Sequence, residues 1–188
     1  EYVGLFRATM GAQISDLILR NVVISHAYNV LPYQRYSGAL IGKADPLVLR
    51  NGTVIGTKIT NVEATVVMTS VGDYTAGLVA MMDRGIIKNC VMKLNLGFKF
   101  GHDAVAGIAY VMTRSQIDNL NVIATVTYEG DSTYFGSSLS IDAVLFGSLS
   151  YSQFANSFLQ MNVQLPSLPG FGKSYPNDLG GVAGSIYQ

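Results

Sequence analysis

The sequence predicts an all-β chain wound as a parallel β-solenoid (β-helix) of five to six irregular coils. Three observations lead there. The 188 residues are 49% hydrophobic and only 13% charged, with 20 glycines and abundant Val, Ile, Thr and Tyr. That composition suits short, half-buried strands joined by tight turns. A block led by glycine recurs along the chain, and a second block centred on Asn or Asp follows it. After that residue the apolar positions alternate, which is the period of a strand with one buried face.

The glycine block reads "YVGLF" from Tyr2, "YSGALIG" from Tyr36, "TAGLVA" from Thr75, "VAGIAY" from Val105, "YFGSSL" from Tyr134 and "LGGVAG" from Leu179. Repeats therefore start near 2, 36, 75, 105, 134 and 179. Alignment puts Gly4, Gly38, Gly77, Gly107, Gly136 and Gly181 in one column of expected turn positions. The second block reads "ISDL" from Ile14, "ITNV" from Ile59, "IKNC" from Ile87, "IDNL" from Ile117 and "FANS" from Phe154. Its column is Asp16, Asn61, Asn89, Asn119 and Asn156. The two columns stand 12 residues apart in three repeats. The other two read as carrying insertions, around "KADPLVLRNGT" and within "IDAVLFGSLS".

A small residue lies two before each Ile or Phe: Ala12, Thr57, Gly85, Ser115 and Ser152. Beyond the Asn, one face collects Cys90, Met92, Leu94 and Leu96 in the third repeat and Leu120, Val122, Ala124 and Val126 in the fourth. Ile87 reads as inward too, so strict alternation from it would turn Cys90 outward. The phase slips by one residue at Asn89, which predicts a bend or bulge there. Asn and Asp tolerate the left-handed backbone such a corner needs.

One such unit cannot bury its own apolar face. Stacking the units in parallel at about 4.8 Å makes a continuous core. The chain reads as a single domain over 1–188, a fragment or subunit of a longer repeat protein or assembly. A β-sandwich is the alternative, with turn signals at comparable spacing. A sandwich would not predict one Gly-to-Asn spacing three times.

The pattern small-Gly-hydrophobic-hydrophobic, then small-x-Ile-x-Asn, then an alternating strand resembles the GLUG repeat. "AGLVAMMDRGIIKNC" (76–90) carries the resemblance best. The resemblance implies a β-helix of the kind built into large surface-exposed, adhesin-like proteins. It implies a setting at the cell surface or outside the cell, and names no activity.

Equal numbers of basic and acidic residues, 12 each, give zero net charge. A nucleic-acid partner, which needs a basic stripe, is not expected. No apolar run reaches the roughly 20 residues of a membrane helix, so no membrane-spanning segment is expected. His26 and His102 lack partners at metal-ligand spacing, and Glu129 with Asp131 in "YEGDST" falls short of a calcium site. Neither metal nor cofactor is expected. Cys90 occupies the position of Leu17, Val62 and Leu120 and reads as core. Lys88 and Asp118 should meet across adjacent coils, and no two acids are expected to do so. No catalytic residue is assigned, and the chain reads as a non-enzyme. "NGT" at Asn51 is a candidate glycosylation sequon.

The expected function is structural or adhesive: a rigid stalk, surface-layer or filament subunit that contacts partners through its ladder faces and ends. Partners would be proteins or further copies joined end to end, because an open strand edge templates pairing. Two alternatives remain at this point. Exposed tyrosines (Tyr33, Tyr36, Tyr74, Tyr110, Tyr128, Tyr134 and Tyr151) suit a carbohydrate-binding or carbohydrate-active β-helix with glycan partners. Zero net charge and a free cysteine suit an intracellular, filament-associated scaffold.

Overall fold

The computed structural model describes residues 2–25, 36–69, 74–99, 104–129, 145–164 and 182–187. The first repeat gives β1 (Tyr2–Val3), β2 (Phe6–Met10) and β3 (Gln13–Ser25). The second gives β4 (Tyr36–Gly38), β5 (Ile41–Asp45), β6 (Leu47–Val48), β7 (Val54–Ile55) and β8 (Lys58–Thr69). The third gives β9 (Tyr74–Ala76), β10 (Val79–Asp83) and β11 (Ile86–Lys99). The fourth gives β12 (Ala104–Ala106), β13 (Ala109–Thr113) and β14 (Gln116–Glu129). β15 (Phe146–Ser150), β16 (Gln153–Ala155), β17 (Phe158–Gln164) and β18 (Ala183–Tyr187) follow.

Among the described residues the chain is all-β and its three main sheets are parallel. One runs β1-β4-β9-β12, the second β18-β15-β13-β10-β5-β2, and the third β16-β14-β11-β8-β3 with β17 also on β14. Each of the first four repeats adds one strand to every sheet. Short connections turn the chain from one sheet to the next, so that three walls enclose one interior. This arrangement is consistent with a β-solenoid.

The interior is built from the alternating faces. Ile59, Ile87 and Ile117 are buried, as are Val62, Cys90 and Leu120 three residues on. Both positions can face inward because the residue between them leaves the extended region. Asn61, Asn89 and Asn119 hold φ of 55°, 54° and 53°. From there Met92, Leu94 and Leu96 stack on Val122, Ala124 and Val126, all buried. Each large aliphatic side chain removed from water contributes about 1.5–3 kcal/mol. The interior opens toward β3, where Ile14, Leu17, Leu19, Val22 and Ile24 are only partly buried. That edge strand carries a bulge between Leu19 and Val22, with Asn21 at φ 54°.

Two expectations about repeat boundaries are corrected by the pairing register. Tyr36 and Gly38 stand opposite Tyr74 and Ala76. Gly77 is therefore one step beyond Gly38 and matches Ala39, so Gly4, Gly38, Gly77 and Gly107 do not form a single column. The corner takes two small residues in succession: Gly38-Ala39, Ala76-Gly77, Ala106-Gly107. Backbone crowding explains this. A Cβ on Gly38 would sit 2.3 Å from the Ile41 carbonyl oxygen, and one on Gly77 would sit 2.0 Å from that of Gly107. None of these four glycines has positive φ; they allow close approach rather than a left-handed turn.

The second correction concerns the fifth repeat. Phe146 stands opposite Ala109 and Leu149 opposite Met112, so its short strand lies at 146–150. The segment "IDAVLFGSLS", read from sequence as holding an insertion, supplies this strand. Register follows the buried Leu145, Phe146 and Leu149, not the glycine of "YFGSSL". Gly136, like Gly181, lies outside the described residues. The insertion around "KADPLVLRNGT" forms the antiparallel hairpin β6–β7.

Candidate functional site

The side chains with chemistry to offer are arranged in columns, because each parallel sheet repeats a position from one repeat to the next. The Asp16, Asn61, Asn89, Asn119 and Asn156 positions fall in one column. All five backbones are left-handed, from φ 58° at Asp16 to 49° at Asn156. The side-chain amides at this corner are exposed, and each reaches its neighbour. Asn61 Nδ2 donates to Asp16 Oδ1 at 2.9 Å, Asn89 to Asn61 Oδ1 at 3.3 Å, and Asn119 to Asn89 Oδ1 at 2.9 Å. Asn156 steps aside and donates to Asp118 Oδ1 at 2.8 Å. The amide from Asn61, aided by Ser15, holds the Asp16 carboxyl below its usual range.

Asp118 is the meeting point of two contacts. Lys88 Nζ lies 3.1 Å from its Oδ2, and β11 and β14 place the two residues directly opposite. The hydrogen bond from Asn156, then that from Lys88, lowers the Asp118 pKa. Both side chains remain well exposed, so the pair adds little to stability.

A second column consists of hydroxyls at the opposite corner. Ser115 Oγ accepts the Gly85 N–H and donates to the Thr113 carbonyl. Ser152 Oγ likewise accepts the Ser115 N–H and donates to Ser150. The preceding residues Arg84, Arg114 and Tyr151 have φ of 53°, 49° and 51°, with Gly11 at 59°. This second left-handed corner escaped sequence reasoning. Apart from Gly11, its residue types give no hint of the conformation; the small residue that follows each was the available signal.

Tyr2, Tyr36 and Tyr74 form a third column, and Tyr110 from the neighbouring sheet closes it. Tyr2 stacks on Tyr36 with ring centroids 5.5 Å apart, Tyr36 on Tyr74 at 4.8 Å, and Tyr74 meets Tyr110 at 4.6 Å. Gly147 makes room for Tyr110, since a Cβ there would lie 2.7 Å from the ring. Lys43 Nζ sits over the Tyr2 ring at 5.5 Å and pairs with Asp45 at 2.8 Å. The rings of Tyr2, Tyr36 and Tyr74 stack on one another, and Tyr110 meets Tyr74 at a tilt of 42°.

At the end of the second sheet two acids take neighbouring places. Asp45 and Asp83 end β5 and β10, one residue past the paired Ala44 and Met82, so two acids do occupy adjacent strands. The shared corner position brings them there. Asp83 Oδ1 lies 3.9 Å from Arg114 and Oδ2 4.0 Å from Arg84. Each carboxylate therefore has a cation at hand. Among the described residues no group of three or more His, Cys, Asp or Glu could hold a metal.

Cys90 is buried, and desolvation raises its pKa despite its contact with the Lys88 carbonyl at 3.3 Å. Asn51 is exposed in the turn of the β6–β7 hairpin, where its Oδ1 accepts the Thr53 N–H at 3.0 Å. His26, His102, Asp131, Tyr33 and Tyr134 lie outside the described residues. Among the described residues no helix is long and apolar enough to cross a membrane.

Comparison with family models, with curated proteins and with solved structures finds no match.

Proposed function

We propose that this chain is a non-catalytic structural element: a β-solenoid of five to six coils serving as a rigid, adhesive stalk, surface-layer or filament subunit. One observation carries the reading. Three sets of side chains that could bind or react are engaged in contacts between repeats: the Asp16–Asn119 amide chain, the Tyr2–Tyr110 stack and the Ser115–Ser152 hydroxyls. Such contacts stiffen the stack along its axis, because bending would have to break several columns together. The GLUG-like repeats agree with a setting at the cell surface or outside the cell.

The carbohydrate-directed reading has less support. Sugar stacking needs an exposed aromatic face, and the rings of Tyr36 and Tyr74 are covered by their neighbours. An intracellular scaffold would use the same rigidity in another compartment. Electron microscopy of the native particle tests the structural reading. Straight rods or arrays with a repeat of about 4.8 Å along the axis are expected. A compact particle that degrades polysaccharide would overturn the proposal.

A further inference from the structure

We infer that Asn51 is the attachment point of an N-linked glycan whose sugars cover the apolar tip of the β6–β7 hairpin. The inference rests on the proposed setting at the cell surface or outside the cell, because such glycans are added to chains on a secretory route. The step forms one bond and breaks one. Asn51 Nδ2 bonds to the anomeric carbon of a lipid-linked oligosaccharide, and the bond from that carbon to the lipid diphosphate breaks. The lipid diphosphate leaves, and one amide proton passes to a base of the transferase. Neither oxidant nor reductant takes part.

The sequon "NGT" occurs once in the 188 residues. A three-residue match arises easily by chance, so its placement carries the argument. β6 and β7 form a two-stranded sheet that joins none of the three walls. Leu49 N–H donates to the Thr53 carbonyl at 2.8 Å, and Gly52 N–H donates to the Leu49 carbonyl at 2.9 Å. These bonds leave Arg50, Asn51 and Gly52 as the loop, and Gly52 supplies the left-handed residue with φ 83°. Asn51 itself is not at positive φ, so this backbone does not call for Asn as the solenoid corners do. Its Oδ1 holds the Thr53 N–H at 3.0 Å. Among the described residues nothing else bonds to Asn51 Nδ2 or to the Thr53 hydroxyl, and residues 48–54 are all exposed. A transferase that must reach the amide and read the hydroxyl two residues on finds both open.

The second observation is what surrounds the amide. The paired Leu47 and Ile55 at the hairpin base are partly buried. They sit on Gly11, where an added Cβ would lie 2.7 Å from the Leu47 Cβ. Alternation turns the next pair, Val48 and Val54, to the other face. Val48 is 62% exposed, Leu49 38% and Val54 37%. Each lies within about 10 Å of Asn51 along the strand. Three aliphatic side chains left in water around one acceptor amide are costly to leave bare. The C–H faces of the first sugars, tethered at the centre of this surface, are placed to cover it. The tether makes the contact intramolecular, which raises its effective concentration.

The intact mass of the native chain, before and after peptide N-glycosidase, tests the inference. Loss of the mass of several sugars is expected, with an aspartate left at position 51 in the peptide map. Secretion of the chain from eukaryotic cells behind a signal peptide tests the site apart from the setting. The unaltered chain and Thr53→Ser should carry the glycan, and Asn51→Gln and Thr53→Ala should lose it. Circular dichroism checks that each variant keeps its fold. Enzymatic release of the glycan should raise binding of the apolar dye anilinonaphthalene sulfonate, and Val48→Ser with Val54→Ser should abolish that rise. A native chain without the glycan overturns the inference, as does an unaltered chain secreted bare or a glycan that persists in Asn51→Gln. Dye binding indifferent to release overturns the covering of the tip. These failures leave the structural reading standing, because that reading is judged by particle shape in micrographs. A bare native chain recovered from the cytosol overturns the setting together with the inference.

Discussion

Asn119 donates its side-chain amide to Asn89 Oδ1 across 2.9 Å, and both residues sit in left-handed backbone at φ 53° and 54°. The corner and the ladder thus depend on the same residue type. Asn89→Val should cost about 1–3 kcal/mol, because a β-branched side chain is strained at this φ. Asn89→Gly relieves the backbone and loses only the exposed hydrogen bonds, so it should cost less than Asn89→Val. Urea denaturation of the two variants measures the difference. Equal losses would show that backbone strain plays no part.

Ile87 is fully buried between Ile59 and Ile117. Ile87→Asp places an unpaired carboxylate in an apolar column and should cost more than about 4 kcal/mol. Cys90→Val, at the position Val62 fills in β8, should stay within about 1.5 kcal/mol. Thermal unfolding followed by circular dichroism compares them. A stable Ile87→Asp chain would mean the interior is wrongly assigned.

Two glycines separate close packing from conformational freedom. Gly77→Ala would drive a Cβ to 2.0 Å from the Gly107 carbonyl oxygen, and a loss of about 2 kcal/mol or more is expected. Gly52 has open space around it but holds φ +83°. Gly52→Ala should cost only about 1 kcal/mol, the strain of a left-handed alanine. Chemical denaturation of both variants gives the order, and the reverse order would contradict the crowding at the corner.

Stability should fall in acid through Asp16 and Asp118. Hydrogen bonds from Asn61 and Asn156 lower their folded pKa values below the ordinary 3.8. A group held low in the folded state stabilises it above the unfolded value and loses that effect as pH drops through the folded one. The window therefore lies at and below the ordinary carboxylate value. Asp118→Asn should flatten the dependence of the urea midpoint on pH between about pH 5 and pH 2. An unchanged slope would mean that the bonds of Asp118 do not distinguish its charge states.

The inward faces and the asparagine column were legible in the sequence. Ile87, Cys90 and the alternating residues after them repeat a local pattern, and a phase slip at one Asn can be read without knowing any neighbour. The Lys88–Asp118 pair was legible for the same reason, since a shared column fixes which residues meet. The glycine column was misread. Either of two adjacent corner positions can be the smaller, so the glycine shifts from Gly38 to Gly77 without changing the corner. "YFGSSL" looked like a repeat start through its glycine, yet the register of the fifth repeat follows the buried Leu145 and Phe146.

By itself the sequence determined that this is a repeating all-β chain, which residues its strands bury, and where each repeat turns at Asn. These are local properties, set by alternation and by the backbone tolerance of single residue types. Tertiary structure alone decided the register between strands, the second left-handed corner at Arg84, Arg114 and Tyr151, and which side chains beyond Lys88 and Asp118 find partners. The Tyr36–Tyr74 stack and the Asp83 contacts with Arg84 and Arg114 depend on distances between strands that lie far apart in the chain or meet only at its corners. Those distances exist only once packing of the buried columns has fixed how one repeat sits on the next.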